Sequence, residues 1–145
     1  MKKSEIKQWT KSIKIAIQNA RENIDDILTP YNNVKTHLVN IEEVESNFGI
    51  DCGIDYEYIL SNTITSCIQD NESIEEINNQ FDELLSNLEE WYEESSVSKQ
   101  EEIQEQYIDV LNEIREIFEV DNVECEEDLD NQLFDMFNAL DDMEI

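Results

Sequence analysis

Ser73-Ile74-Glu75-Glu76-Ile77-Asn78-Asn79-Gln80-Phe81-Asp82-Glu83-Leu84-Leu85-Ser86-Asn87-Leu88-Glu89-Glu90-Trp91-Tyr92-Glu93-Glu94 is the stretch from which the fold class follows. Ile74, Ile77, Phe81, Leu84, Leu88 and Trp91 recur at intervals of three and four, which places them on one face of a helix. Ser73-Ile74-Glu75-Glu76 has the S-x-x-E form of a capping box. Ser98-Lys99-Gln100-Glu101 repeats that signal, and Ile103, Tyr107, Val110, Ile114 and Ile117 come after it at helical spacing.

The same periodicity extends to both ends. Ile6, Trp9, Ile13, Ala16, Ala20, Ile24 and Ile27 line an N-terminal helix, and Thr29-Pro30 is expected to stop it, because the residue before a proline avoids the α conformation. A weaker helix carries Val34, Leu38, Ile41 and Phe48 and ends at Gly49, a C-terminal cap. Gly49-Ile50-Asp51 and Gly53-Ile54-Asp55 read as a turn, with Asp55 capping a helix of Tyr56, Ile59, Leu60, Thr63 and Cys67. After a break near Asp121-Asn122, Leu129, Leu133, Met136 or Phe137, and Leu140 mark a last helix.

Composition agrees. The chain has 145 residues, 39% of them hydrophobic, with two glycines and one proline. That is enough apolar material for one sizeable core and too little turn material for a β-rich fold. The expected architecture is all-α, a single domain of five or six amphipathic helices over 1–145. It divides into a basic N-terminal helix over 1–29 and an acidic body over 36–145. Cys52, Cys67 and Cys125 are odd in number and form no C-x-x-C pair, so they read as free thiols. Lys7, Lys11, Lys14 and Gln18 interrupt the N-terminal apolar residues, so no signal-peptide core is expected; nor is a membrane span. A soluble, intracellular protein is the expectation.

Charge carries the functional argument. From His37 onward there are 33 acidic side chains against two bases, Lys99 and Arg115, while the first 36 residues hold seven Lys/Arg and four acids. The parts carry −31 and +3, making the net −28. Such an imbalance favours solubility but opposes compaction through self-repulsion. A basic partner surface, of the kind that holds nucleic acid, accounts for it.

The acids are also ordered. Glu75/Glu76, Asp82/Glu83 and Glu89/Glu90 recur every seven residues, two helical turns or about 10.5 Å, and Glu93/Glu94 close the series. Glu102, Asp109 and Glu116 repeat the interval on the next helix. Residues 72–94 hold nine acids, about one charge per 4 Å of helix, against roughly 3.4 Å between phosphates on one strand of B-DNA. Glutamate rows on helices are ordinarily just solvated faces. Those faces mix Glu with Lys at i, i+4, however, and the missing counter-charge here leaves like-charge repulsion in place.

Catalytic readings lack their parts. His37 is the only histidine and has no Ser or Cys pattern around it. Cys52, between the two glycines, has acids nearby that raise a thiol's pKa rather than lower it. No pair among so many carboxylates has the opposed environments of an acid–base couple, and no EF-hand spacing or glycine-rich phosphate loop occurs. The sequence therefore predicts a non-enzyme without catalytic residues, cofactor or metal site, and a body that does not itself bind nucleic acid. Lys3, Lys7, Lys11 and Lys14 are expected to neutralise neighbouring acids once Trp9 and Ile13 dock their helix. Trp91 is expected in the core, with an interface anchor as the alternative.

On Glu89-Glu90-Trp91-Tyr92-Glu93-Glu94 and Glu124-Cys125-Glu126-Glu127-Asp128, the chain resembles the small acidic DNA-mimic inhibitors of phages and mobile elements, antirestriction and anti-CRISPR proteins among them. The resemblance is one of class, without a shared motif. It implies an inhibitor that occupies the basic groove of a bacterial defence nuclease, such as a CRISPR effector or restriction enzyme, in the cytoplasm of a bacterial host. Glu75, Glu76, Asp82, Glu83, Glu89, Glu90, Glu93, Glu94, Glu102, Asp109 and Glu116 would be the partner-binding residues, with Glu124 to Glu144 next in line. An immunity protein or antitoxin against a basic toxin nuclease, and an acidic adaptor or chaperone for basic proteins, are the alternatives; self-association into a homodimer is left open.

Overall fold

α1 (Lys3–Glu22) buries Ile6, Thr10, Ile13, Ile17 and Ala20 in the computed structural model, which describes residues 1–143. The buried Thr10 hydroxyl donates to the Ile6 carbonyl at 2.8 Å, so burial leaves it no unmet hydrogen bond. The helix stops at Asn23, earlier than expected, and a single turn, α2 (Ile24–Ile27), comes next. Thr29-Pro30 ends nothing: it opens α3 (Thr29–Phe48). First-turn amides have no helical acceptor, so a proline there loses no hydrogen bond and its fixed φ suits the helix.

α3 turns back on α4 (Tyr56–Gln69) to form a hairpin. Gly49 caps α3 at φ 63°, in the left-handed region, and the Asp55 carboxylate accepts from the Tyr58 amide at 3.1 Å to cap α4. Both caps are as the sequence predicts. The Tyr56 hydroxyl donates to Glu45 and ties the two helices together; that bond pushes its pKa up to about 12. Phe48 is not part of a buried stripe as its spacing suggests. It is 75% exposed, because beyond Leu38 no residue of α3 is buried.

α5 (Glu72–Glu93) begins just before the expected capping box. Asn71 takes the cap: its Oδ1 accepts from the amides of Ser73 (2.8 Å) and Ile74 (3.3 Å), so Ser73 sits inside the first turn. The second S-x-x-E is displaced likewise. α6 (Val97–Ile103) starts behind Ser96, and Ser98 to Glu101 lie within it. One π-helical turn, Gln104–Ile108, joins α6 to α7 (Asp109–Glu116). A 3-10 turn (Val120–Asn122) then leads to α8 (Glu126–Asp141).

With α6, the π turn and α7 taken as one rod, the described residues form seven helices and no strand. The all-α class holds; the extra helix over the expected five or six is the single turn α2. α1 lies against both α5 and α8, and α7 packs on α8 and α5. Ile13, Ile17, Phe81, Leu84, Leu88, Tyr107, Leu111 and Leu129 meet in one apolar cluster, each at most 1% exposed. No helix among the described residues is long and apolar enough to cross a membrane.

The bases of α1 occupy one side of the helix, since Lys3, Lys7, Lys11, Lys14 and Arg21 recur at helical spacing. That side meets α8. Lys14 pairs with Asp141 and lies 5.1 Å from the Phe137 ring centroid; Arg21 bonds Asp130 at 3.0 Å and lies 4.6 Å from that of Phe134. Of the four lysines expected to neutralise acids, only Lys14 does so. Lys3, Lys7 and Lys11 are exposed and in no ion pair among the described residues, while Arg21, outside that expectation, pairs with the same helix α8.

Candidate partner-binding site

The apolar seam of α5 directs its acids outward. Ile74, Ile77, Phe81, Leu84, Leu85 and Leu88 are buried, while Glu75, Glu76, Asp82, Glu83, Glu89, Glu90, Glu93 and Glu94 are exposed. At about 100° per residue, Glu75, Asp82 and Glu89 make one row and Glu76, Glu83 and Glu90 a second beside it. The first row borders α7, because Asp82 pairs with Arg115 at 2.5 Å. The second borders α1: Glu76, Glu90 and Glu94 line grooves that run along the α1–α5 seam. Glu76 also accepts from Gln80 at 2.8 Å.

Glu102, Asp109 and Glu116 do not form the expected row. A π turn adds about one residue to its helix and rotates the residues before it by roughly 100° against those after it. Gln104 bonds Asp109 at 2.7 Å across five residues, the spacing of such a turn. Glu102 is half-buried and pairs with Lys99 at 3.2 Å, while Asp109 and Glu116 are exposed. Two of the eleven predicted carboxylates, Asp82 and Glu102, thus have a base beside them.

Trp91 is half-buried, neither wholly core nor free. It packs against Tyr107 with ring centroids 6.1 Å apart, and the Lys99 ammonium lies 5.1 Å from its centroid. It shares a groove of about 630 Å³ with Trp9, Glu5, Glu90 and Glu94. Residue spacing gave no sign of that groove, since it is built from two helices distant in the chain. Nor did spacing show the exposed apolar side chains Val44, Phe48 and Ile50 at the hairpin tip, which stand among Glu42, Glu43, Glu45 and Asp51.

The segment from Glu124 to Glu144 is placed on α8 and the turn before it, with Glu144 outside the described residues. There the Glu126 pKa is raised, first by a hydrogen bond shared with Asp25, then by desolvation and by the charges of Asp25 and Asp130. His37, Cys52 and Cys125 are exposed, Cys67 is half-buried, and the three thiols are free. Among the described residues no three His, Cys, Asp or Glu side chains converge as a metal ion would require. The chain matches no protein-family model, no curated protein and no solved structure.

Proposed function

We propose that this protein binds, and by binding inhibits, a basic nucleic-acid-binding protein of a bacterial defence system. The outer face of α5 stands in for the nucleic acid. One observation carries the reading: two adjacent rows of carboxylates stand exposed along α5 with Arg115 the only base paired to them among the described residues. Held by a buried seam, they present charge at fixed intervals, and a preorganised array spends little entropy on binding. Complementary fields speed association and make it sensitive to salt.

The test is capture followed by competition. The immobilised chain is exposed to a nuclease-treated bacterial lysate, and the retained protein is assayed for nucleic-acid binding with and without free chain. The reading predicts competition by the chain and loss of binding as salt rises towards 1 M, where screening shortens to about 3 Å. Glu75, Glu83 and Glu89 are the residues to reverse, since none has a base beside it and none lines a groove. Their triple change to Lys should weaken the partner by about 10- to 100-fold, at up to ~1 kcal/mol per exposed charge. A retained protein that still binds nucleic acid freely, or a triple variant of parental affinity, sinks the proposal. A retained toxin nuclease instead of a defence nuclease would identify an immunity protein.

A further inference from the structure

The groove between the N-terminal half of α1 and the C-terminal end of α5 has a makeup that the carboxylate rows do not explain. It holds about 630 Å³, within the roughly 300–1,000 Å³ of sites that enclose small ligands. Trp9 and Trp91 line it with Glu5, Glu90 and Glu94, and no Lys or Arg does. Met1, Gln8, Ser12 and Asn87 complete its lining. Aromatic rings and carboxylates together select a cation that is flat and carries several donors. An indole attracts positive charge over its ring, and a carboxylate takes a guanidinium through two parallel hydrogen bonds.

We propose that this groove receives an arginine side chain of the basic partner, with Trp9 as the stacking platform and Glu5, Glu90 and Glu94 as the hydrogen-bonding rim. The inference rests on the reading of the chain as a binder of a basic protein and adds a specific anchor to it. The molecule already holds a cation at this end: the Lys99 ammonium sits against Trp91. Trp9 is half-buried, packed in part against the core, and among the described residues has no cation over it. An acidic ligand would be repelled by the rim, and an apolar one would strip water from three carboxylates without bonding them. A lysine could meet the rim but would neither stack on the indole nor bond a carboxylate through a fork.

Trp9 and Trp91 are the only tryptophans of the chain, so indole fluorescence and indole N–H resonances report on this groove. The full chain is titrated, at about 0.15 M salt so that diffuse attraction is screened, with acetyl-Gly-Arg-Gly-Arg-Gly-amide, its lysine counterpart and spermine. The arginine peptide should shift the Trp9 indole resonance saturably and bind at least about fivefold more tightly than the lysine peptide. Trp9→Leu, which keeps an apolar side chain on the helix, should abolish that preference, and Trp9→Phe should restore part of it. Should Trp9→Leu fail to fold, the triple change of Glu5, Glu90 and Glu94 to Gln serves instead and should weaken the arginine peptide by at least about threefold.

No indole response at millimolar peptide overturns the inference. So does equal binding of the two peptides and spermine, the mark of a diffuse acidic field, or a preference that survives Trp9→Leu. The triple reversal of Glu75, Glu83 and Glu89 lies outside the groove and should leave the arginine preference intact. A normal groove response with no effect of that reversal on the captured partner rejects the mimicry reading alone. An effect on the partner with no groove response rejects the arginine site alone.

Discussion

Glu126 and Asp25 share a hydrogen bond that one of them must protonate to keep, and the Glu126 pKa is raised from its ordinary 4.5. The folded state therefore holds this proton more tightly than the unfolded chain does. The stability it contributes is fully present below pH 4.5 and is lost as pH rises through the raised value. Glu126→Gln keeps a donor without the charge, so it should raise the melting temperature at pH 7 and flatten its dependence between about pH 4.5 and 7. The site is exposed, so after solvent screening the gain is about 1–3 °C, readable by circular dichroism. Gly49 gives a second test at this scale. At φ +63° with nothing within 4 Å of a built Cβ, Gly49→Ala meets no clash and should cost only the left-handed penalty, about 1 kcal/mol in denaturant melts. That glycine cap and the Asp55 cap were legible, because each rests on one residue's own chemistry. The first S-x-x-E signal misled for the opposite reason: Asn71, upstream of Ser73, bonds the Ser73 and Ile74 amides first; the second is displaced to Ser96, which makes no side-chain cap bond.

At the scale of elements, the seam of α5 could be read from its spacing, and so could the outward direction of its acids. Pro30 and the π turn could not. Whether a proline ends or opens a helix depends on where its neighbours' amides find acceptors, and a π turn leaves no short-range mark. What demands the turn is tertiary: Ile103 on one side and Leu111 and Ile114 on the other are all buried, as are the adjacent Tyr107 and Ile108. Deleting the exposed Gln106 should turn the segment α-helical and rotate α6 by about 100° against α7. Either Ile103 or the pair Leu111 and Ile114 must then leave the core. The expected loss is at least about 2 kcal/mol, one buried aliphatic side chain, and chemical denaturation would measure it. An unchanged midpoint would mean that α6 carries little of the fold.

For the whole molecule, the amount of charge was plain in the sequence and its placement only half so. Arg21 and Lys14 reach residues more than a hundred positions away, a pairing that no local pattern encodes. The hairpin, α5 and α7 keep most of their repulsion, so the isolated chain should melt at higher temperature in about 0.5 M salt than in about 20 mM, where screening is weak. A melting temperature indifferent to salt would mean that the acids stand too far apart to strain the fold. With its bases gathered on one side of α1, Lys14 and Arg21 among them paired with α8, the molecule also carries a permanent electric moment in addition to its net charge. A positive groove pulls on such a body and at the same time exerts a torque on it. If the proposed partner presents such a groove, then over the last Debye length, about 8 Å in physiological salt, the chain would be turned so that α5 leads and α8 trails. On that reading the lysines of α1 would act on the partner's capture as the counterweight that aims the opposite face.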